Sequence, residues 1–365
     1  MKLRFNGLQP LFFVLALLGV NRSGFAQSSK SRLEEAVSTD RYQPVGLAIS
    51  RTGRMFVSFP RWSDVYEHGV VEVLPNGTRR PFPDAEWNRW DITAPREHFI
   101  SAQALFIDGA DGLWILDLSN PSSGKPIPAG IKLLKVNLTT NQVERIYRFE
   151  DLPLNKAGLN DVQVDARRQI AYLSDPGRAA IVVLDLKTGK SRTVLEKHSS
   201  TRADSSFVLT IDGQAVRDQL GKPFSSNVNG IALTADGAYL YYRPITQSRL
   251  FRIPTSALWN AKLSPALVAE KVETLGLVGV SHGMIADAAG NIYMGDSGNK
   301  VIRRYTPSGQ LETLVQDERL LWPDSFAVGP DGYLYVTAAQ HHRLPRYNQG
   351  QSKVQTPFWV FKLKL

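Results

Sequence analysis

Six short positions carry most of the side chains able to do chemistry. They are Pro44-Val45, Ser101 to Gln103, Asn160-Asp161, Asn227 to Asn229, Ser281-His282 and Pro323-Asp324. Brought together, Gln103, Asn160, Asp161, Asn229, His282 and Asp324 would form a ring of two carboxylates, three amides and one imidazole. An imidazole beside carboxylates can pass protons near neutral pH, so His282, Asp161 and Asp324 are the candidate catalytic residues. Gln103, Asn160 and Asn229 would orient a ligand by hydrogen bonds. Asn160, Asn229 and Asp324 also offer oxygen donors that suit a hard divalent cation such as Ca²⁺. The competing reading is that these Asn and Asp residues only satisfy backbone groups where strands begin, as such residues often do in turns.

Each position precedes the same local grammar: a short apolar run, a turn, then a second apolar run. Ile231-Ala-Leu233, the turn Ala235-Asp-Gly237 and Tyr239 to Tyr242 give the clearest copy. Asp-Gly between such runs signals a hairpin, because glycine accepts positive φ without a steric penalty. Equivalent turns fall at Gly53, Gly112, Gly290 and Gly332, with Arg168 standing in the third copy. A third run follows in every copy, and Lys190 to Leu195 and Gln310 to Val315 read as fourth strands. Six units of about 40–50 residues predict an all-β fold, a six-bladed β-propeller over residues 43–365. The innermost strand of each blade lines the central channel, so the six chemical positions would meet at its mouth. Thr255 to Trp259 is the one helical stretch expected.

Two long loops could cap that mouth. Phe82 to Ile100 carries Trp87 and Trp90, candidate ligand-binding residues that would form an aromatic lid over a flat molecule. His198 to Phe224 is polar, with Asp212-Gly213 in its middle. His341 and His342 are adjacent, and neighbours on a strand face opposite ways, which argues against joint ligation of one metal. No Gly-x-Ser-x-Gly elbow supports serine hydrolysis.

The chain of 365 residues is 43% hydrophobic, apolar enough for a large core and against disorder. Lys2 and Arg4, the apolar Leu8 to Val20, and Gly24-Phe-Ala26 read as a signal peptide over 1–26, cleaved after Ala26. A secreted or periplasmic protein is therefore expected, without stable membrane insertion after cleavage. Residues 27–42 read as an N-terminal arm, in which Arg32 to Val37 could pair with an edge strand. There is no cysteine, so thiol chemistry, thiolate metal sites and disulfides are excluded. The net charge of +9 is scattered in short pairs such as Arg303-Arg304, which argues against a nucleic-acid partner. A small molecule is the expected partner.

Several stretches resemble the Yellow/major royal jelly protein family. Pro44 to Ala48 leads into Phe56 to Trp62, and Gln103 to Asp108 runs into Leu113 to Asp117. Ile170 to Asp175, Asn229 to Leu233 with Leu240 to Pro244, and Trp322-Pro-Asp324 follow in the family's order. The resemblance spans roughly residues 43–340 and implies a secreted six-bladed propeller. Insect members bind small aromatic amines in the channel, and some are linked to dopachrome conversion. This chain lacks their cysteines and looks like a bacterial relative. A looser resemblance is to gluconolactonase-type propellers, which hold a divalent cation through a Glu, two amides and an Asp. Asn160 and Asn229 fall where the amides would lie, but Val45 stands at the Glu position and His282 at the Asp position. Three functions remain open: isomerisation of a small cyclic or aromatic molecule, metal-dependent lactone hydrolysis, and ligand binding without catalysis.

Overall fold

A computed structural model describes residues 1–2 and 33–365 of the chain. The signal peptide expected over 1–26 and the first part of the arm lie outside the described residues, Met1 and Lys2 apart. The described chain forms six four-stranded antiparallel sheets in succession, plus one small hairpin. The inner strands are Leu47–Ile49, Ala102–Ile107, Val162–Asp165, Val228–Leu233, Met284–Ala286 and Pro323–Val328. Each contacts the next around a ring, and the sixth contacts the first. This is a six-bladed β-propeller.

Both faces of every blade are covered by neighbours, which explains why the strands read as apolar runs without a polar alternation. Successive residues then serve different interfaces. In the second strand of blade three, Ala171 and Leu173 pack against blade two, while Tyr172 between them packs against blade four. In blade four, Leu240 and Tyr242 face blade three and Tyr241 faces blade five. Each of the six blade interfaces has its own hydrophobic cluster, and a seventh cluster lies over the mouth.

The hairpin chemistry works as the sequence implies. Gly237 has φ +68° and its N–H donates to the Thr234 carbonyl at 2.7 Å. In blade two the left-handed position is taken by Asp111, φ +65°, rather than Gly112, and in blade three by Gln169, φ +58°, one residue beyond Arg168. The fourth strands form at Ser191–Val194 and Leu311–Gln316, and a short helix forms at Thr255–Trp259.

Glu34–Asp40 is not a loose arm. It pairs antiparallel with Phe358–Lys364 and supplies the outermost strand of blade six. The ring is thus closed by a sheet holding strands from both ends of the described propeller. The strand pairing considered for Arg32 to Val37 thus forms, shifted to Glu34–Asp40.

Candidate functional site

The mouth is assembled by a device repeated in three blades. The second strand ends in an aspartate that reaches back to backbone N–H groups just ahead of the inner strand. Asp117 accepts from Ile100 at 2.8 Å and Ser101 at 2.9 Å. Asp175 accepts from Gly158 at 2.8 Å, and Asp296 from Val280 at 3.3 Å. Each bond fixes the approach to a mouth residue: Gln103, Asn160 and His282. Asp117 is also bound by the buried Lys132 ammonium at 2.9 Å, so its charge is compensated inside the blade.

Close contact between inner strands completes the ring. Gly230 and Gly283 follow the mouth residues Asn229 and His282. A Cβ on Gly230 would collide with the His282 carbonyl, and one on Gly283 with the Asp324 carbonyl. Only glycine lets the mouth segments of blades four, five and six approach so closely. Hydrogen bonds tie other neighbours. Thr337 Oγ1 donates to the Val45 carbonyl at 2.8 Å, and Ile231 N–H donates to Asp161 Oδ2 at 3.1 Å.

Gln103, Asn160, Asn229, His282 and Asp324 line one pocket of about 240 Å³. Five of the six residues proposed for the ring therefore converge. Asp161 does not line this pocket. Both its carboxylate oxygens accept backbone N–H groups, from Val162 at 2.8 Å and Ile231 at 3.1 Å. It borders a separate chamber of about 660 Å³ at the turn end of the inner strands.

Trp87 and Trp90 do not form the lid. Trp87 packs on Phe99 with ring centroids 5.5 Å apart, within the interface of blades one and two. Trp90 lies under the Arg61 guanidinium at 4.0 Å. The aromatic wall of the mouth comes instead from Trp62, Phe224, Trp322 and Tyr347. These rings join His282, His341 and His342 in one network of edge and stacked contacts. Trp322 has φ +65°, a left-handed conformation that costs a non-glycine residue roughly 1–2 kcal/mol. Such strain is held in place by surroundings that fix the geometry. Here it sets the indole beside His282. His341 and Tyr347 come from two short 3₁₀ turns, His341–Arg343 and Pro345–Tyr347, which carry no periodic signal in sequence. The loop at 198–224 contains the hairpin Thr210–Ile211 with Gln214–Ala215. Its Leu209, Ile211 and Val216 pack with Trp322, so this loop does cover the mouth.

The electrostatics separate the acid from the imidazole. Burial pushes the Asp324 carboxyl up to about 7, and the Asp161 charge adds to the shift against a hydrogen bond from Trp322. Burial likewise raises Asp161 to about 7, opposed by its two backbone hydrogen bonds. His282 moves the other way: burial first, then His341, Arg243 and His342, hold its pKa well below the usual histidine range. A neutral His282 can donate or accept a hydrogen bond, and burial opposes its uptake of a second proton. Asp324, titrating near neutrality, can do both halves of a proton transfer.

The donor set does not suit a divalent cation held in the gluconolactonase manner. Val45 is buried and apolar, and His282 is engaged with Ser297 and Trp322. Asp324 is the single carboxylate lining the pocket. Among the described residues no three acidic or histidine side chains gather as a metal cluster.

A family model described as major royal jelly protein matches residues 100–365. The chain belongs to the major royal jelly protein family. It is 25% identical over 223 residues to major royal jelly protein 5 of Apis mellifera, covering 58% of this chain and 35% of that protein. To major royal jelly protein 1 of the same organism it is 27% identical over 198 residues, 48% of this chain and 41% of that relative. The match thus covers well under half of each bee protein's own length. Solved structures similar in fold include a luciferin-regenerating enzyme, with TM-score 0.55, 14% identity, and coverage of 92% of this chain and 95% of that one. A gluconolactonase from Xanthomonas campestris gives TM-score 0.54, 12% identity, 92% of this chain and 90% of that chain. At these identities the likeness is one of fold.

Proposed function

We propose that this royal jelly family member is exported and binds a small, flat cyclic or aromatic molecule in its mouth pocket. The observation that carries the reading is the convergence of Gln103, Asn160, Asn229 and Asp324 against the rings of Trp62, Phe224, Trp322 and Tyr347. Aromatic walls favour a flat ligand, and amides with a carboxyl fix it by hydrogen bonds. The reading extends to isomerisation. Asp324 would take a proton from a ring carbon next to a carbonyl and return it to the carbonyl oxygen, giving the enol tautomer without any other reactant. Asn160 and Asn229 would hold that oxygen. The apolar Leu8 to Val20 and the Ala26 site support export.

A thermal-shift screen of catechols, indoles and lactones, with and without divalent ions, tests the pocket. Stabilisation by catechols or indoles, lost in Asn229→Ala, is the expected result. Stabilisation by lactones only, and only with Ca²⁺, would replace this reading with hydrolysis. Intact-mass analysis of the exported protein tests cleavage after Ala26.

A further inference from the structure

Arg346 also lines the mouth pocket, and the reading above assigns it nothing. Its guanidinium lies 5.4 Å from the Tyr347 ring centroid, half-buried in the second of the two 3₁₀ turns. Several arginines of the propeller are paired with carboxylates. Arg54 binds Glu72 at 2.7 Å, Arg178 binds Glu196 at 2.6 Å, and Arg319 binds Asp317 at 2.8 Å. Among the described residues Arg346 has no carboxylate partner, and no hydrogen bond from its side chain to another residue is present. A guanidinium that lines a pocket without an acid of its own can pair with an anionic group of a ligand.

The surroundings are prepared for such a group. His282 and His341 line the same pocket, and the Nδ1 of each has no hydrogen-bond partner, so either ring in its Nδ1–H form can donate to an anionic oxygen. His341 packs on Trp62 at 4.7 Å and on Tyr347 at 5.5 Å, so the unsatisfied imidazole and the guanidinium share one aromatic wall. Burial, with a contribution from Arg346 itself, keeps His341 neutral. Asp324 stands in the inner strand of blade six and Arg346 in the turns beyond it, so the pocket holds an acid and a cation on separate elements. A ligand with one anionic group and one hydroxyl or ring N–H could meet both.

We infer that the mouth selects aromatic or cyclic carboxylates, with Arg346 binding the carboxylate as a forked donor and Asp324 and the amides engaging the opposite edge of the ring. This deepens the proposed function and rests on it. Planar guanidinium matches carboxylate geometry in a way that lysine does not, which gives the inference its chemical specificity.

Titration calorimetry with indole and with indole-2-carboxylate tests it, on wild type, Arg346→Gln and Arg346→Lys. The carboxylate is expected to bind wild type about tenfold more tightly than indole, in the range of charge-assisted hydrogen bonds. In Arg346→Gln the two compounds should bind alike, and in Arg346→Lys the preference should fall to a few-fold. Melting temperatures of the variants check that the fold is kept. If indole binds and its carboxylate gains nothing, or if the preference survives in Arg346→Gln, the anion site is overturned and the aromatic pocket stands. If neither compound binds wild type, both are overturned.

Discussion

The imidazole of His282 lies flat against the indole of Trp322, with centroids 3.8 Å apart and planes 20° from parallel. Its Nε2 meets Ser297 Oγ at 2.8 Å. A ring so enclosed serves packing before proton transfer. His282→Phe, which preserves the stack, should change stability little. His282→Ala should lose about 2–4 kcal/mol in chemical denaturation, as for other large buried rings cut to Ala. Equal losses in the two variants would show that the stack is not what the residue supplies.

Asp324 behaves oppositely with pH. Its pKa rises from 3.8 unfolded to about 7 folded, so the folded state binds the extra proton between those values. Stability from this group therefore increases as pH falls through the window, and ionisation above 7 is a cost. Asp324→Asn removes that cost. The variant should melt higher than wild type at pH 8, with the advantage fading toward pH 4. If the pocket isomerises its ligand, turnover should fall by about 10²–10⁴. A lower melting temperature across the whole range would refute the assignment.

His341 and His342 contribute with the reverse sign. Burial holds them neutral, at about 3 and about 4. The unfolded chain takes up their protons near pH 6.5, so their stabilisation is present above that value and drains away below it. The paired change His341→Gln with His342→Gln should flatten the loss of stability between pH 6.5 and 4. Each proton is worth about 1.4 kcal/mol per pH unit at most. An unchanged slope in pH-dependent urea denaturation would show that they are solvated in the native state.

Gly283→Ala forces a methyl group into the Asp324 carbonyl of the next blade. Overpacking of this kind costs about 1–3 kcal/mol. It should also spread the mouth, weakening ligand binding beyond what lost stability explains. Gly109→Ala, where nothing lies within 4 Å and the backbone is not left-handed, controls for the residue change. Denaturation and calorimetry on both variants separate the two effects.

Trp62→Ala and Tyr347→Ala should each weaken binding of an aromatic ligand by about tenfold, the scale of a lost ring contact. Trp87→Ala and Trp90→Ala should leave affinity unchanged, because those rings belong to a blade interface and to Arg61. Loss of affinity in the second pair alone would restore the lid expected from sequence.

Much of the ring was legible because its rules are local. A turn glycine between apolar runs fixes a hairpin, and six hairpins in order place Asn160, Asn229, His282 and Asp324 before inner strands. The walls of the pocket obey no such rule. Arg346 and Tyr347 arrive through turns that fold over the mouth, and Trp322 through a left-handed residue. The environment of His282 was hidden for a different reason. Residue type suggests a proton carrier, but burial against Trp322 decides its charge, and burial is a property of the assembled ring. Asp161 shows the limit of position as a guide. It adjoins Asn160 in sequence, yet its carboxylate is spent on two backbone N–H groups and borders the other chamber.

The pairing of Glu34–Asp40 with Phe358–Lys364 makes the circle a late event in folding. The two segments are separated by more than 300 residues, and joining ends so far apart costs about 5 kcal/mol of chain entropy. During synthesis Glu34–Asp40 waits for Phe358–Lys364, so blade six cannot form its full sheet until that strand has been made. The same neighbourhood means that the propeller could be opened at another blade junction and a linker placed between Lys364 and Glu34, yielding a permuted propeller with every strand pair intact.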